Sequence, residues 1–162
     1  MQSEGGAYAI TENAMEEVRK YLNHDKDKKT APERKKRLLI VDDSDFMLRT
    51  MRDLFGSDYE LTTAGSGMSA IRDMAFHRPD LILLDYEMPV CDGKQVLEMI
   101  RSDREFNDTP VIFLTNRVDR ESVKKALALR PEGYLAKSLP PETIKKEVEH
   151  FFARRKTSEK DA

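Results

Sequence analysis

Three runs of four consecutive apolar residues stand out along the chain: Leu38-Leu39-Ile40-Val41, Leu81-Ile82-Leu83-Leu84 and Val111-Ile112-Phe113-Leu114. An apolar run without polar alternation marks a strand covered on both faces. Tyr59 to Thr63 is a weaker strand, alternating and β-branched at its end, and Tyr134-Leu135-Ala136 is a short fifth one. Between the strands the apolar spacing turns helical. Met47, Met51, Leu54 and Phe55 form one stripe. Ile71, Met74 and Ala75 form the next, behind a capping Ser66, and Pro79 separates it from the following strand. Asp92, with Gln95 three residues on, starts a helix carrying Val96, Met99 and Ile100. Val123, Ala126, Leu127 and Leu129 form a fourth stripe. Pro140-Pro141 opens a last helix with Ile144, Val148, Phe151 and Phe152. Strands alternating with helices in this way predict an α/β fold, a parallel sheet between two helix layers.

Residues 1–36 read differently. Met15, Val18 and Leu22, with Tyr21 beside them, predict a short helix from Asn13 to about Asn23, and Asn13 with Glu16 resembles its start. His24 to Lys36 is polar and charged with one proline, as a solvated linker is. The expected division is a helix and charged linker over 1–36, the main domain over 37–156, and a disordered tail over 157–162. One short helix cannot bury a core alone. It docks, pairs with a copy of itself, or stays mobile.

Composition narrows the function. The chain has 162 residues, 39% apolar and 36% charged, with a net charge of −2. That balance argues against nucleic-acid binding, which usually needs a clearly basic domain. No apolar run approaches the roughly 18–20 residues that span a bilayer, and the first residues lack the basic-then-apolar pattern of a secretory signal. A lone Cys91 has no internal disulfide partner, and His24, His77 and His150 show no ligand spacing. The expectation is a cytoplasmic protein, monomeric or weakly dimeric, with no membrane insertion.

In an open parallel sheet, ligands bind beyond the carboxyl ends of the strands. Asp42 and Asp43 follow the first apolar run, Asp85 the third strand, Thr115 the fourth and Lys137 the fifth. Taken singly each is ordinary: a helix cap, a loop hydroxyl, a solvated charge. Together they place three carboxylates at one rim, where each pair repels by about 4 kcal/mol at 4 Å and an effective dielectric near 20. A divalent cation or a basic side chain must compensate. Hard oxygen ligands at an open rim suit Mg²⁺, and Lys137 suits phosphate. A carboxylate can be a nucleophile toward phosphorus. Asp85, at the end of the central strand, fits that part, with Mg²⁺ and Lys137 neutralising the transferring group and Thr115 bonding one of its oxygens.

These residues resemble the receiver domain of bacterial two-component response regulators. The resemblance spans Arg37 to Lys156 and rests on Leu39-Ile40-Val41-Asp42-Asp43-Ser44, on the Asp-x-x-Met-Pro-x-x-Asp-Gly string from Asp85 to Gly93, on Leu114-Thr115 and on Tyr134-Leu135-Ala136-Lys137. It implies a flavodoxin-like (βα)₅ fold with a central five-stranded parallel sheet. It implies that Asp85 accepts a phosphoryl group from a histidine kinase or histidine phosphotransfer protein, as in a phosphorelay. Asp42, Asp43, Asp85 and the backbone carbonyl of Glu87 would hold Mg²⁺. Thr115 and Lys137 would bind the phosphoryl group, and Thr115 with Tyr134 would form the switch that changes binding of a downstream protein. Glu87 and Arg117 are at positions expected to tune phosphoryl lifetime. Phe46, one position off the core stripe, is a candidate contact for the phosphodonor protein. The only chemistry implied is self-catalysed phosphotransfer and autodephosphorylation. Ser138-Leu139-Pro140-Pro141 replaces the proline usual after the lysine, which bears on how Lys137 is aimed. Arg130-Pro131-Glu132-Gly133 replaces the usual Gly-Ala before the fifth strand, where Pro131 should stiffen the chain.

Two other classes compete. An aspartyl-phosphate phosphatase uses similar residues, but typically with Asp-x-Asp after the first strand, and Asp85-Tyr86-Glu87 lacks the second Asp. The other is a phosphorylation-independent scaffold with a vestigial pocket. No P-loop signature is present. No helix-turn-helix segment follows the last helix, so the expectation is a stand-alone receiver or the receiver of a larger sensor protein.

Overall fold

The computed structural model describes residues 14–20 and 34–161, with side chains described as far as Ser158. The chain divides into two units, 1–34 and 35–162. In the first, residues 14–20 are helical, with Met15 and Val18 exposed. The expected cap Asn13, the flanking Tyr21 and Leu22, and the linker as far as Glu33 lie outside the described residues.

In the second unit the apolar runs become strands. The order is β1 (Arg37–Val41), α1 (Asp45–Phe55), β2 (Glu60–Ala64), α2 (Gly67–His77), β3 (Leu81–Leu84), α3 (Gly93–Ser102), β4 (Val111–Thr115), α4 (Arg120–Leu127), β5 (Gly133–Ala136) and α5 (Pro141–Asp161). The strands form one parallel sheet in the order β2-β1-β3-β4-β5. Successive side chains of a strand point to opposite faces, so one run feeds two cores. Leu39, Val41, Ile82, Leu84 and Phe113 pack on one face with residues of α2, α3 and α4, including Met74, Val96 and Ala126. Leu38, Ile40, Leu83, Ile112 and Leu114 pack on the other with residues of α1 and α5, including Met51, Phe55 and Val148. The sheet is therefore covered on both faces, which is why β1, β3 and β4 carry no polar alternation. This is a flavodoxin-like (βα)₅ architecture.

The helix starts follow local chemistry. Ser44, Ser66 and Asp119 cap α1, α2 and α4 through their side chains. Asp92 and Gln95 form the reciprocal capping box of α3. Arg78 closes α2 in the left-handed region (φ 43°), one residue before Pro79.

Two expectations need correction. The last helix runs on through Asp161, so 157–161 is helical and not a disordered tail. After Pro141 the segment has neither glycine nor proline, and it is rich in Lys, Arg and Glu, which favour helix. Thr157 and Ser158 also donate hydroxyl bonds to the carbonyls four residues back. The fourth stripe is the second correction. Ser122 and Ala126, one turn apart, face the core. Leu127 is 52% exposed, and Leu129 packs on the core from the turn beyond α4. A small residue at 126 brings this short helix close to the sheet and turns its neighbour outward.

Candidate functional site

β1 lies between β2 and β3, and both of its ladders continue one step past the strands. Asp85 N–H donates to the Val41 carbonyl at 2.9 Å, and Asp42 N–H to the Ala64 carbonyl at 3.1 Å. This lateral pairing places the first acidic residue after each strand at the same level. Asp42 and Asp85 are buried there, Asp43 is exposed, and one carboxylate oxygen from each lies within 4.8 Å of the others. β5 brings the compensating cation from the far side of β4. Lys137 N–H bonds the Thr115 carbonyl at 2.9 Å. Its Nζ lies 2.6 Å from Asp42 Oδ2 and 2.9 Å from Asp85 Oδ2. The missing proline after Lys137 therefore does not misdirect it; a turn closed by Leu139 N–H on the Ala136 carbonyl takes the chain onward.

The remaining carboxylate oxygens have backbone partners. Ser44 N–H donates to Asp42 Oδ1 at 2.9 Å, and Glu87 N–H to Asp85 Oδ1 at 3.3 Å. Burial pushes the Asp42 pKa up; the Lys137 and Ser44 bonds and the Lys137 charge oppose it without cancelling it. For Lys137 burial favours the neutral amine, but its bonds to Asp42 and Asp85 outweigh burial and raise its pKa. Lys137 is thus cationic at neutral pH.

Thr115 is fully buried at the end of β4, and its Oγ1 accepts from Arg117 N–H at 3.1 Å. Arg117 reaches across to Glu87 at 2.8 Å, and its Nε lies 3.3 Å from Asp119 and donates to Ser122 Oγ at 3.2 Å. Tyr134 is half-buried. Its ring stands 5.6 Å from that of Phe113, and its hydroxyl donates to the Arg117 carbonyl. Burial, reinforced by Tyr86, pushes its pKa up to about 12. Phe46, the second residue of α1, is 74% exposed.

The loop after Asp85 is tightly built. Val90 takes a left-handed conformation (φ 69°), and Cys91 N–H bonds the Pro89 carbonyl at 2.7 Å. Gly93 N–H bonds the Tyr86 carbonyl at 2.9 Å. A Cβ on Gly93 would overlap the Asp85 carbonyl oxygen, so the Asp-Gly pair both caps α3 and lets it approach the site. Together these loops enclose an open polar cleft of about 580 Å³, lined by Asp43, Asp85, Glu87, Asn116, Arg117 and Lys137 among others. Asn116 was not anticipated; its position directly after Thr115, at the end of a buried strand, was the available signal.

The family model for the response regulator receiver domain matches residues 38–149. The chain belongs to this family. Chemotaxis protein CheY of Halobacterium salinarum is 32% identical to this receiver over 104 residues, covering 63% of this chain and 84% of that protein. Hybrid signal transduction histidine kinase D of Dictyostelium discoideum is 28% identical over 154 residues, covering 95% of this chain and 10% of the kinase. The solved structure of Vibrio cholerae chemotaxis protein CheY4 matches with a TM-score of 0.67 and 28% identity, over 71% of this chain and 97% of that one. The receiver spans only about a tenth to a half of the length of the first curated relatives it matches. Receiver domains are the phosphorylation-based signalling modules of two-component systems. They work with histidine kinases and phosphotransfer partners, and bind Mg²⁺ at an acidic pocket of this kind. No helix among the described residues is long and apolar enough to cross a membrane.

Proposed function

We propose that this receiver is a switch whose phosphoacceptor is Asp85. One observation carries the reading: a buried carboxylate stands within hydrogen-bond reach of a lysine ammonium and within 4.8 Å of two further carboxylates. Asp42, Asp43, Asp85 and the backbone carbonyl of Glu87 would hold Mg²⁺. Three hard oxygen donors crowded at an open polar cleft fit that ion. When bound, Mg²⁺ supplies positive charge against the phosphoryl oxygens.

The side chains divide the remaining work. An Asp85 carboxylate oxygen bonds to phosphorus as the phosphorus–nitrogen bond of a phosphohistidine donor breaks. Lys137 already bonds that carboxylate and can follow the charge onto a phosphoryl oxygen. Thr115 uses an oxygen lone pair on Arg117 N–H, which leaves its hydroxyl proton for the phosphoryl group. Movement of Thr115 would be read by Tyr134 through the backbone of Arg117, which both residues contact, changing a surface that a downstream protein binds. Glu87 and Arg117, paired at the mouth of the cleft, would set phosphoryl lifetime by controlling water access. Equal lifetimes in wild type and the Glu87→Ala/Arg117→Ala double mutant would dismiss that role. Phe46 would contact the histidine kinase or phosphotransfer protein, and Phe46→Ala should slow transfer from that partner but not from a small phosphodonor. The protein would act in the cytoplasm, as a monomer or weak homodimer.

The deciding experiment is incubation with a small phosphodonor and Mg²⁺, followed by intact mass. Wild type should gain one phosphoryl group and Asp85→Ala none. Turnover of a phosphomonoester without a stable adduct would support the phosphatase class instead.

A further inference from the structure

Arg117 makes more bonds than a residue that only lines a cleft. Its peptide N–H holds Thr115 Oγ1 at 3.1 Å, and its carbonyl takes the Tyr134 hydroxyl. Its guanidinium bonds Glu87 at 2.8 Å, lies 3.3 Å from Asp119 and donates to Ser122 at 3.2 Å. Asp119 caps α4 and Ser122 lies in its first turn, so the arginine is tied to that helix. Glu87 is in turn tied to the acceptor, because its N–H donates to Asp85 Oδ1 at 3.3 Å. Three polar contacts, joined through the covalent frames of Glu87 and Arg117, therefore lead from Asp85 to Tyr134 and bypass the Thr115 side chain.

We infer that the Glu87–Arg117 ion pair is a second link between Asp85 and Tyr134, parallel to Thr115. As a signalling route it rests on Asp85 being the phosphoacceptor. New bonding at Asp85 competes for the oxygen that Glu87 N–H uses, and so shifts the residue that holds Arg117. A hydroxyl leaving Arg117 N–H for the phosphoryl group would disturb the same residue from its other side. Both routes thus end on one carbonyl. The Arg117 and Glu87 side chains are about half exposed (50% and 54%), so this link is screened by salt, whereas the buried Thr115 link is not. Coupling of this kind is reciprocal.

The test uses the full chain with ¹³C-labelled tyrosine rings, the Tyr134 signal being assigned by its loss in Tyr134→Phe. A small phosphodonor with Mg²⁺ is added, and intact mass is followed in parallel. Thr115→Val keeps the buried volume and removes the hydroxyl. In that variant the Tyr134 signal should still respond to the phosphodonor, with reduced amplitude. The response should be lost when Glu87→Gln is added, and weakened in high salt. A Thr115→Val response that is absent despite mass gain, or unchanged by Glu87→Gln, overturns the link. If Thr115→Val does not fold, Glu87→Gln and Arg117→Gln are combined instead. The pair should lose no more of the Tyr134 response than either alone, and additive losses overturn the link. No mass gain in wild type sinks the phosphoacceptor reading and not the contact. The contact is then judged on unmodified protein, where a Tyr134 signal unmoved by Glu87→Gln refutes it.

Discussion

Gly93 opens α3 beneath the loop that follows Asp85, and an alanine there would meet backbone. Its Cβ would overlap the Asp85 carbonyl oxygen and stand 2.8 Å from Tyr86 Cα and 3.0 Å from the Asp85 carbonyl carbon. Carbon contacts are ordinarily about 3.5–4.0 Å, so the loop must retreat by roughly 0.5–1 Å at least. No flexible side-chain end is available to absorb the movement. Overpacking of this kind costs about 1–3 kcal/mol. The lower entropy of an alanine chain in the unfolded state returns about 0.4–1 kcal/mol. The net expectation for Gly93→Ala is a loss of about 1–2 kcal/mol. Gly65→Ala is the control, because nothing lies within 4 Å of its Cβ and its φ is not positive. That variant should be neutral or slightly stabilised. Urea unfolding read by circular dichroism gives both values, with m expected unchanged. Gly93→Ala should also accept phosphate more slowly, since the loop that retreats carries Asp85. Equal urea midpoints for Gly93→Ala and Gly65→Ala would refute the close-approach argument.

Lys137→Met leaves two buried carboxylates facing each other and should cost about 3–5 kcal/mol at neutral pH by urea unfolding. Added Mg²⁺ should raise its midpoint more than that of wild type, and an equal rise would count against a shared metal and lysine site. In a phenolate absorbance titration of the folded protein, one tyrosine should ionise near pH 12, and this component should vanish in Tyr134→Phe. The unfolded chain ionises that group near pH 10. Stability should therefore fall as pH rises from about 10 to 12, and fall less in Tyr134→Phe. Cys91 is 8% exposed, and burial, with Asp92 beside it, holds its thiol above the ordinary range. Iodoacetamide should label it slowly in native protein and fully in denaturant, as read by intact mass; fast native labelling would show that the loop opens.

Much of the fold was legible because local pattern and tertiary role agree in a sheet covered on both sides. The buried strands announced themselves as unbroken apolar runs, and Ser66 and the Asp92–Gln95 pair marked helix starts correctly. The strand ends then located Asp42, Asp43, Asp85, Thr115 and Lys137. The failures fall where a residue's surroundings, and not its own pattern, decide. Leu127 carries the right periodicity yet faces solvent, because a close-packed Ala126 sets the rotation of α4. Helix continued past the last core contacts because no breaker stopped it. The bonding of Arg117 was not visible in the sequence, which marked it only as a position in a motif. Its partners Glu87, Asp119, Ser122 and Tyr134 come from three separate segments.

Backbone periodicity and residue chemistry act over a few positions, so the amino-acid order alone determined which segments are strands and which acids end them. The lateral order β2-β1-β3-β4-β5 is a matter of long-range pairing. That pairing, set by burial on both faces, is what brings Lys137 from the end of β5 to within 2.9 Å of both Asp42 and Asp85.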